Sequence, residues 1–175
     1  MIDTFGRAVE RLVDGLTAVA GVLVVLMLGL VNVEVGGRYL FGTSTLVADE
    51  YAAYLFVWVT LLGAAYTLRE ERHLRVGAAV DRLPAPVRRA AALGAAVLGL
   101  AVSAVALYAT LIVVGTSWRM RTVSIQPSAT PLVWPQLVLP FGFSVLCLAY
   151  LDEIVRRATG RRSVSETAGT SGLDL

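Results

Sequence analysis

The side chains able to do chemistry in this chain gather at the facing ends of two apolar stretches. Asn32, Glu34 and Arg38 close the first stretch, and Asp49 and Glu50 open the second. Glu34 and Arg38 are four residues apart, so on a helix they share a face and can form an ion pair. Arg38 could instead reach Asp49 or Glu50 and fasten the two helices into a hairpin. Two carboxylates in a first helical turn also sit well at the positive end of the helix dipole. Ionisable groups at a hydrocarbon boundary are costly unless paired. Asn32, Glu34, Arg38, Asp49 and Glu50 are therefore the candidate polar cluster, for contacts within the chain or with another subunit. A proton relay would need a further acid or histidine deeper in these stretches, and the sequence has none there. His73 lies among arginines in a connection, where a solvated histidine is the expected state. The single cysteine, Cys147, falls inside the last apolar stretch and reads as a small apolar filler. Phosphate-cradling glycine loops, Cys/His pairs at metal spacing, a haem-ligating histidine and a nucleophile elbow are all missing from the sequence. This argues against an enzyme, and no catalytic residue, metal site or cofactor is assigned to the chain.

The elements that position these groups are four uncharged stretches, Gly15 to Val33, Tyr51 to Leu68, Ala90 to Trp118 and Leu132 to Leu151. Each is long enough to cross a bilayer as a helix. A hydrophobic fraction of 57% and a mean hydropathy of +0.72 agree, because a soluble domain of this size needs more polar surface. The expected fold is an all-α membrane protein with spans at about 12–37, 47–69, 87–117 and 132–155. These form one domain over 1–160, followed by a disordered cytoplasmic tail over 161–175, rich in Ser, Thr and Gly. All 15 basic residues are arginine, and 12 of them lie before the first span, between the second and third, or after the fourth. The positive-inside rule then places both termini and the middle connection in the cytoplasm. The first span is too long for a signal-peptide core, and its only small-x-small site lies mid-span, so it reads as uncleaved.

Ile2, Phe5, Val9, Leu12 and Leu16 recur at helical spacing, which predicts a short amphipathic surface helix running into the first span. Val76, Val80 and Leu83, closed by Pro84 and Pro86, predict a second one in the middle connection. In the third span Ala91, Ala95, Gly99 and Ser103 follow at strict four-residue steps and form the candidate helix-packing stripe. Pro131, Pro135 and Pro140 predict an irregular start to the fourth span.

The segment Asn32-Val33-Glu34-Val35-Gly36-Gly37-Arg38-Tyr39-Leu40-Phe41 resembles the N-x-x-x-x-x-R-Y-x-F signature of the small membrane subunit, the DctQ-type or Q subunit, of tripartite ATP-independent periplasmic (TRAP) transporters. Asp49-Glu50, Leu55-Phe56-Val57-Trp58, Leu62-Gly63-Ala64-Ala65-Tyr66-Thr67-Leu68-Arg69 and His73-Leu74-Arg75-Val76 are similar to that family's second helix and following loop. Asp81-Arg82-Leu83-Pro84 resembles the close of the loop, and Pro131 with Leu139-Pro140-Phe141-Gly142 its fourth helix. The match covers about residues 10 to 157. The chain departs from the pattern at Val47 or Ala48, where the family often has Trp, and at Gly77, where it often has an acid.

The resemblance implies a scaffold subunit in the bacterial inner membrane that holds a large multi-span permease subunit and helps dock a periplasmic substrate-binding protein. The assembly would take up an organic acid by sodium-coupled symport, with sodium bound in the large subunit and lipid able to bind this one. Arg119 and Arg121 are the candidate docking residues, because they are basic on the side where the charge rule disfavours arginine. Anchoring at lipid headgroups beside Trp118 is the alternative for that pair. Two other readings stand beside the resemblance: the small subunit of a tripartite tricarboxylate-type transporter, and a self-assembling channel or structural membrane protein.

Overall fold

The structure is a computed structural model that describes residues 2–42, 47–70 and 84–158. His73, the middle-connection residues Val76, Val80 and Leu83, and the 161–175 tail lie outside the described residues. Among the described residues five helices follow in order: α1 (Ile2–Phe41), α2 (Ala48–Glu70), α3 (Ala85–Met120), a short α4 (Val133–Gln136) and α5 (Val138–Ala158). Four segments are long and apolar enough to span a membrane, Gly6–Phe41, Ala48–Leu68, Ala90–Met120 and Val133–Arg157. Helices suit these sequences because a helix satisfies its own backbone groups where no water is available.

The helix ends follow local chemistry. Gly42, at φ +63°, ends α1, and its N–H bonds to the Arg38 carbonyl at 3.1 Å. This is the left-handed position that glycine fills without steric cost. Pro84 precedes α3, and Pro86 lies in its first turn, where the missing N–H has no helical partner to lose. At the other end of α3, Arg121 takes the left-handed conformation, and the Thr122 N–H reaches the Ser117 carbonyl at 3.1 Å.

The N-terminal amphipathic segment is continuous with the first span rather than a separate piece. Val9 and Val13 are buried, and with Ala65 of α2 and Val145 and Ala149 of α5 they form one core cluster. Ala20, Leu62 and Val138 form a second cluster further along the same three helices. The core is thus the junction of α1, α2 and α5, while α3 packs mainly against α5. At 1.5 Å per residue the 40-residue α1 is about 60 Å long, roughly twice the hydrocarbon thickness. It must tilt strongly or project from the bilayer at the end that carries both termini.

Two glycines set the closest helix approaches. A Cβ on Gly99 would lie 2.4 Å from the ring of Tyr150, and one on Gly142 would lie 2.8 Å from Cβ of Leu61. The packing stripe of α3 is only partly the expected one. Gly99 and Ser103 face α5, but Ala91 and Ala95 are exposed. The reason is helix phase: each four-residue step turns the face by about 40°, so Ala91 points about 120° away from Ser103. The buried residues Ala96, Ser103 and Ser117, with half-buried Thr110 between the last two, recur every seven residues instead. That is the spacing that keeps one face on a partner. Pro140 does not bend α5, because it sits in the first turn. The irregularity lies at Leu137, between α4 and α5, where the Trp58 indole N–H donates to the Pro135 carbonyl at 3.2 Å.

Gly142→Val should lower the unfolding free energy of the detergent-purified protein by about 1–3 kcal/mol through overpacking against Leu61. Gly94→Val, where no atom stands within 4 Å of the added Cβ, should leave it within about 0.5 kcal/mol. Equilibrium denaturation of the two variants checks this.

Candidate functional site at the two helix ends

The polar side chains of the structure form two groups, one at each end of the bundle. At the end that carries the α1–α2 connection, Glu50 is buried in the first turn of α2. Its Oε1 accepts from the Tyr54 hydroxyl, one turn along the same helix, at 2.5 Å. Its Oε2 accepts from the Ser128 hydroxyl, 78 residues away. Tyr51, stacked edge-on against Tyr54, pairs its hydroxyl with Thr130 Oγ1 at 3.2 Å. Two helix-borne groups, Glu50 and Tyr51, thus fasten the loop between α3 and α4, with Tyr54 holding Glu50 in place.

That loop is internally braced as well. The Ser124 N–H donates to the Thr130 carbonyl at 2.8 Å, and the Leu132 N–H to the Thr122 carbonyl at 3.0 Å. Val123 and Pro131 form an antiparallel bridge, and Ala129 takes a positive φ of 47° at the turn.

Glu50 therefore turns to the α3–α4 loop and not to Arg38, which corrects the bridge the sequence suggested. Arg38 stands 3.6 Å from Glu34 on its own helix, with Glu34 9% and Arg38 53% exposed. Asn32 donates back to the Leu28 carbonyl at 2.7 Å, and Asp49 is exposed. Of the five residues proposed as one cluster, the structure brings together Glu34 and Arg38, and separately places Glu50 with the Ser128 hydroxyl of a distant loop. Arg119 and Arg121 are both exposed. Arg121 borders an open cavity of about 430 Å³ with Trp118 and Trp134, and Arg119 lies in a smaller groove of about 340 Å³ on α3 with Tyr108 and Ile112. Cys147 is half-buried in α5.

The opposite end carries a network that the sequence reading passed over. Arg156 of α5 bonds Asp152 at 2.7 Å and Glu10 of α1 at 2.8 Å, so it ties the first helix to the last. Arg157 bonds Glu153 at 2.5 Å and donates to the Ala92 carbonyl, which ties α3 to the last helix. Asp152 and Glu153 are buried. Counting Arg156 and Arg157 only as topology markers hid this role. The two acid–arginine pairs at four-residue spacing were the available signal. Among the described residues no three His, Cys, Asp or Glu side chains converge as metal ligands, and the donor sets just described are structural in geometry.

Comparison with known proteins bears on the same residues. The family described as "Tripartite ATP-independent periplasmic transporters, DctQ component" matches residues 27–160, which take in the Asn32 to Phe41 segment, Glu50, the α3–α4 loop and Arg157. The chain belongs to this DctQ family. It is 31% identical over 117 residues to the C4-dicarboxylate TRAP transporter small permease protein DctQ of Rhodobacter capsulatus, covering 63% of this chain and 48% of that one. It is 34% identical over 83 residues to the ectoine TRAP transporter small permease protein TeaB of Halomonas elongata, covering 47% and 43%. A TRAP transporter small permease protein of Haemophilus influenzae is 33% identical over 78 residues, covering 45% and 44%. The chain thus spans less than half the length of these relatives. These relatives are named as transporter permease subunits, and the four spanning-length helices of this chain fit a multi-pass membrane protein.

Two experiments separate the ties. In a double-mutant cycle read by thermal unfolding, Glu50→Ala and Ser128→Ala should be non-additive, whereas Glu50→Ala and Arg38→Ala should add within error. Asp152→Ala, which strips Arg156 of its carboxylate on the same helix, should cost about 1–2 kcal/mol by the same measurement.

Proposed function

We propose that this chain is the scaffold subunit of a TRAP-type secondary transporter. It would hold a large multi-span permease subunit in the membrane and contribute docking surface for a periplasmic substrate-binding protein during sodium-coupled uptake of an organic acid. Both termini lie in the cytoplasm in this reading, as the arginine distribution indicates.

The observation that carries the scaffold reading is how little of the membrane-spanning surface this chain covers by itself. In the most apolar 18 residues of each span, 6% are buried in α1 and 6% in α3, against 33% in the last span. On α1, Gly29 and Gly36 lie seven residues apart with open space where their side chains would be. Small residues on an open helix face let a second helix approach closely, and in lipid this contact replaces the hydrophobic drive between helices. The internal polar groups, in contrast, are spent on holding the chain's own helices together. No group described here can bind cargo at the middle of the bilayer, which supports a substrate and a sodium site in the large subunit.

The relatives' names point the same way. One is named for C4-dicarboxylate and another for ectoine. Cargoes that differ this much on related small subunits support a subunit that does not itself select the cargo. The tricarboxylate-type and self-assembling readings have no observation in their favour comparable to the DctQ match.

Tagged protein extracted in mild detergent should bring down one large multi-span permease, identified by mass spectrometry. Gly29→Leu with Gly36→Leu should reduce that recovery about tenfold or more without changing the protein's own melting temperature. A homogeneous homo-oligomer without a second chain would contradict the scaffold reading. Replacing Arg119 and Arg121 by Glu should weaken binding-protein association with the assembled complex and reduce its salt dependence. Unchanged binding would remove these two arginines from the docking surface.

A further inference from the structure

The C-terminal end of α3 and the start of α4 border an open cavity of about 430 Å³. Ser117, Trp118 and Arg121 line it from the α3 side, and Val133 and Trp134 from the α4 side. Its size falls within the range of about 300–1,000 Å³ usual for small-molecule sites. Its depth follows from the spans: the third ends at Met120 and the fourth begins at Val133, so the cavity lies where one helix leaves the hydrocarbon and the next enters it. Trp118 and Trp134 are 69% and 65% exposed at that level. Indoles held open there are characteristic of the headgroup boundary, with an apolar ring for the chains and an N–H for the polar layer. Lipid headgroups therefore surround this cavity as its ordinary environment.

Arg121 supplies the formal charge in the lining, and no acidic side chain joins it. Among the described residues its guanidinium has no ion pair or hydrogen bond. Ser117, 6% exposed, adds a hydroxyl that likewise has no hydrogen-bond partner among the described residues. A buried donor left without a partner is costly, so an acceptor brought to this point gains what the chain leaves unmade. Arg119 lies in the separate groove along α3, so the cavity takes one of two neighbouring cations and not both. A guanidinium pairs with phosphate in a planar, two-bonded geometry. A cation above apolar walls at headgroup depth is matched by a phosphodiester that carries acyl chains. An ammonium headgroup would meet no counter-charge in this lining, which favours a lipid of net negative charge.

We propose that this cavity is a binding site for an anionic glycerophospholipid, with the phosphodiester on Arg121 and the Ser117 hydroxyl and the acyl chains descending over Trp118, Val133 and Trp134. The site does not rest on the three-component reading, and its failure leaves that reading untouched.

The test titrates the full chain, purified in mild detergent, with dioleoylphosphatidylglycerol or dioleoylphosphatidylcholine and counts bound lipid by native mass spectrometry. One equivalent of the anionic lipid should bind about tenfold more tightly than the zwitterionic one. Arg121→Ala should lower that affinity about tenfold, and Ser117→Ala about threefold. Arg119→Ala, an equal change of charge outside the cavity, should leave it within about twofold. Equal losses for the two arginine variants would reveal general attraction to a basic helix end and overturn the site, as would equal affinity for the two lipids. Inorganic phosphate that displaces the lipid at equal concentration would make this a free-anion site and overturn the lipid assignment. A lowered melting temperature of lipid-free Arg121→Ala with unchanged lipid affinity would confine the residue to complementing the helix dipole and overturn its role. Loss of the bound lipid when the large subunit joins would assign the cavity to that partner and overturn the proposal. Should Arg121→Ala fail to fold, wild-type protein in vesicles containing brominated lipid reads the same site: tryptophan quenching should reach its midpoint at a severalfold lower fraction of brominated phosphatidylglycerol than of brominated phosphatidylcholine, and equal midpoints would overturn it.

Discussion

The bilayer removes the force that organises most proteins, and the rest of this structure follows from that loss. Apolar side chains gain nothing by leaving lipid for one another, so helices associate only where their surfaces fit closely or where polar groups meet. This chain uses both means and separates them in space. Close fit operates within the membrane, at Gly99 against Tyr150 and Gly142 against Leu61. Polar ties operate at the two ends, where water and headgroups lower the cost of charge.

The two ends do different work. At the end with the termini, Arg156 and Arg157 draw α1 and α3 onto the last helix through Glu10 and the Ala92 carbonyl. The last helix is therefore the hub: it meets α2 through the core clusters, α3 through the glycine seam, and α1 through the ion pair. At the other end Glu50 fixes a loop and not a helix. One end closes the bundle, and the other shapes what it presents. Little of the apolar middle of α1 and α3 is covered within the chain as a result.

Much of the fold was legible because the decisive quantities are local. Run length, absence of charge and proline position identify four spanning segments, and the segment from Asn32 to Phe41 marks the family. The candidate site was legible only in part. Glu50 stood out as an acid at a hydrocarbon boundary, but Ser128 is an ordinary loop serine whose role depends on meeting it. Asp152 and Glu153 were readable as i, i+4 pairs with arginine and were overlooked because the arginines already had an explanation as topology markers. The α3 stripe divides between faces for a geometric reason: four-residue steps drift around a helix, so Ala91 and Ala95 turn away from the face that Ala96, Ser103, Thr110 and Ser117 hold.

The sequence by itself determined that this is a helical membrane protein of the DctQ family with four spanning segments, and which charges lie near which ends of those segments. These are properties of contiguous residues and of the bilayer thickness. Only the tertiary structure decided partners: that Glu50 serves Ser128 and not Arg38, that Arg156 reaches Glu10, 146 residues away, and that Ala96 and not Ala95 faces α5. Partner choice depends on the lateral order and rotation of the helices. Those are set by a few close contacts between distant segments, which no local pattern of apolar residues encodes when every face of a helix is already at home in lipid.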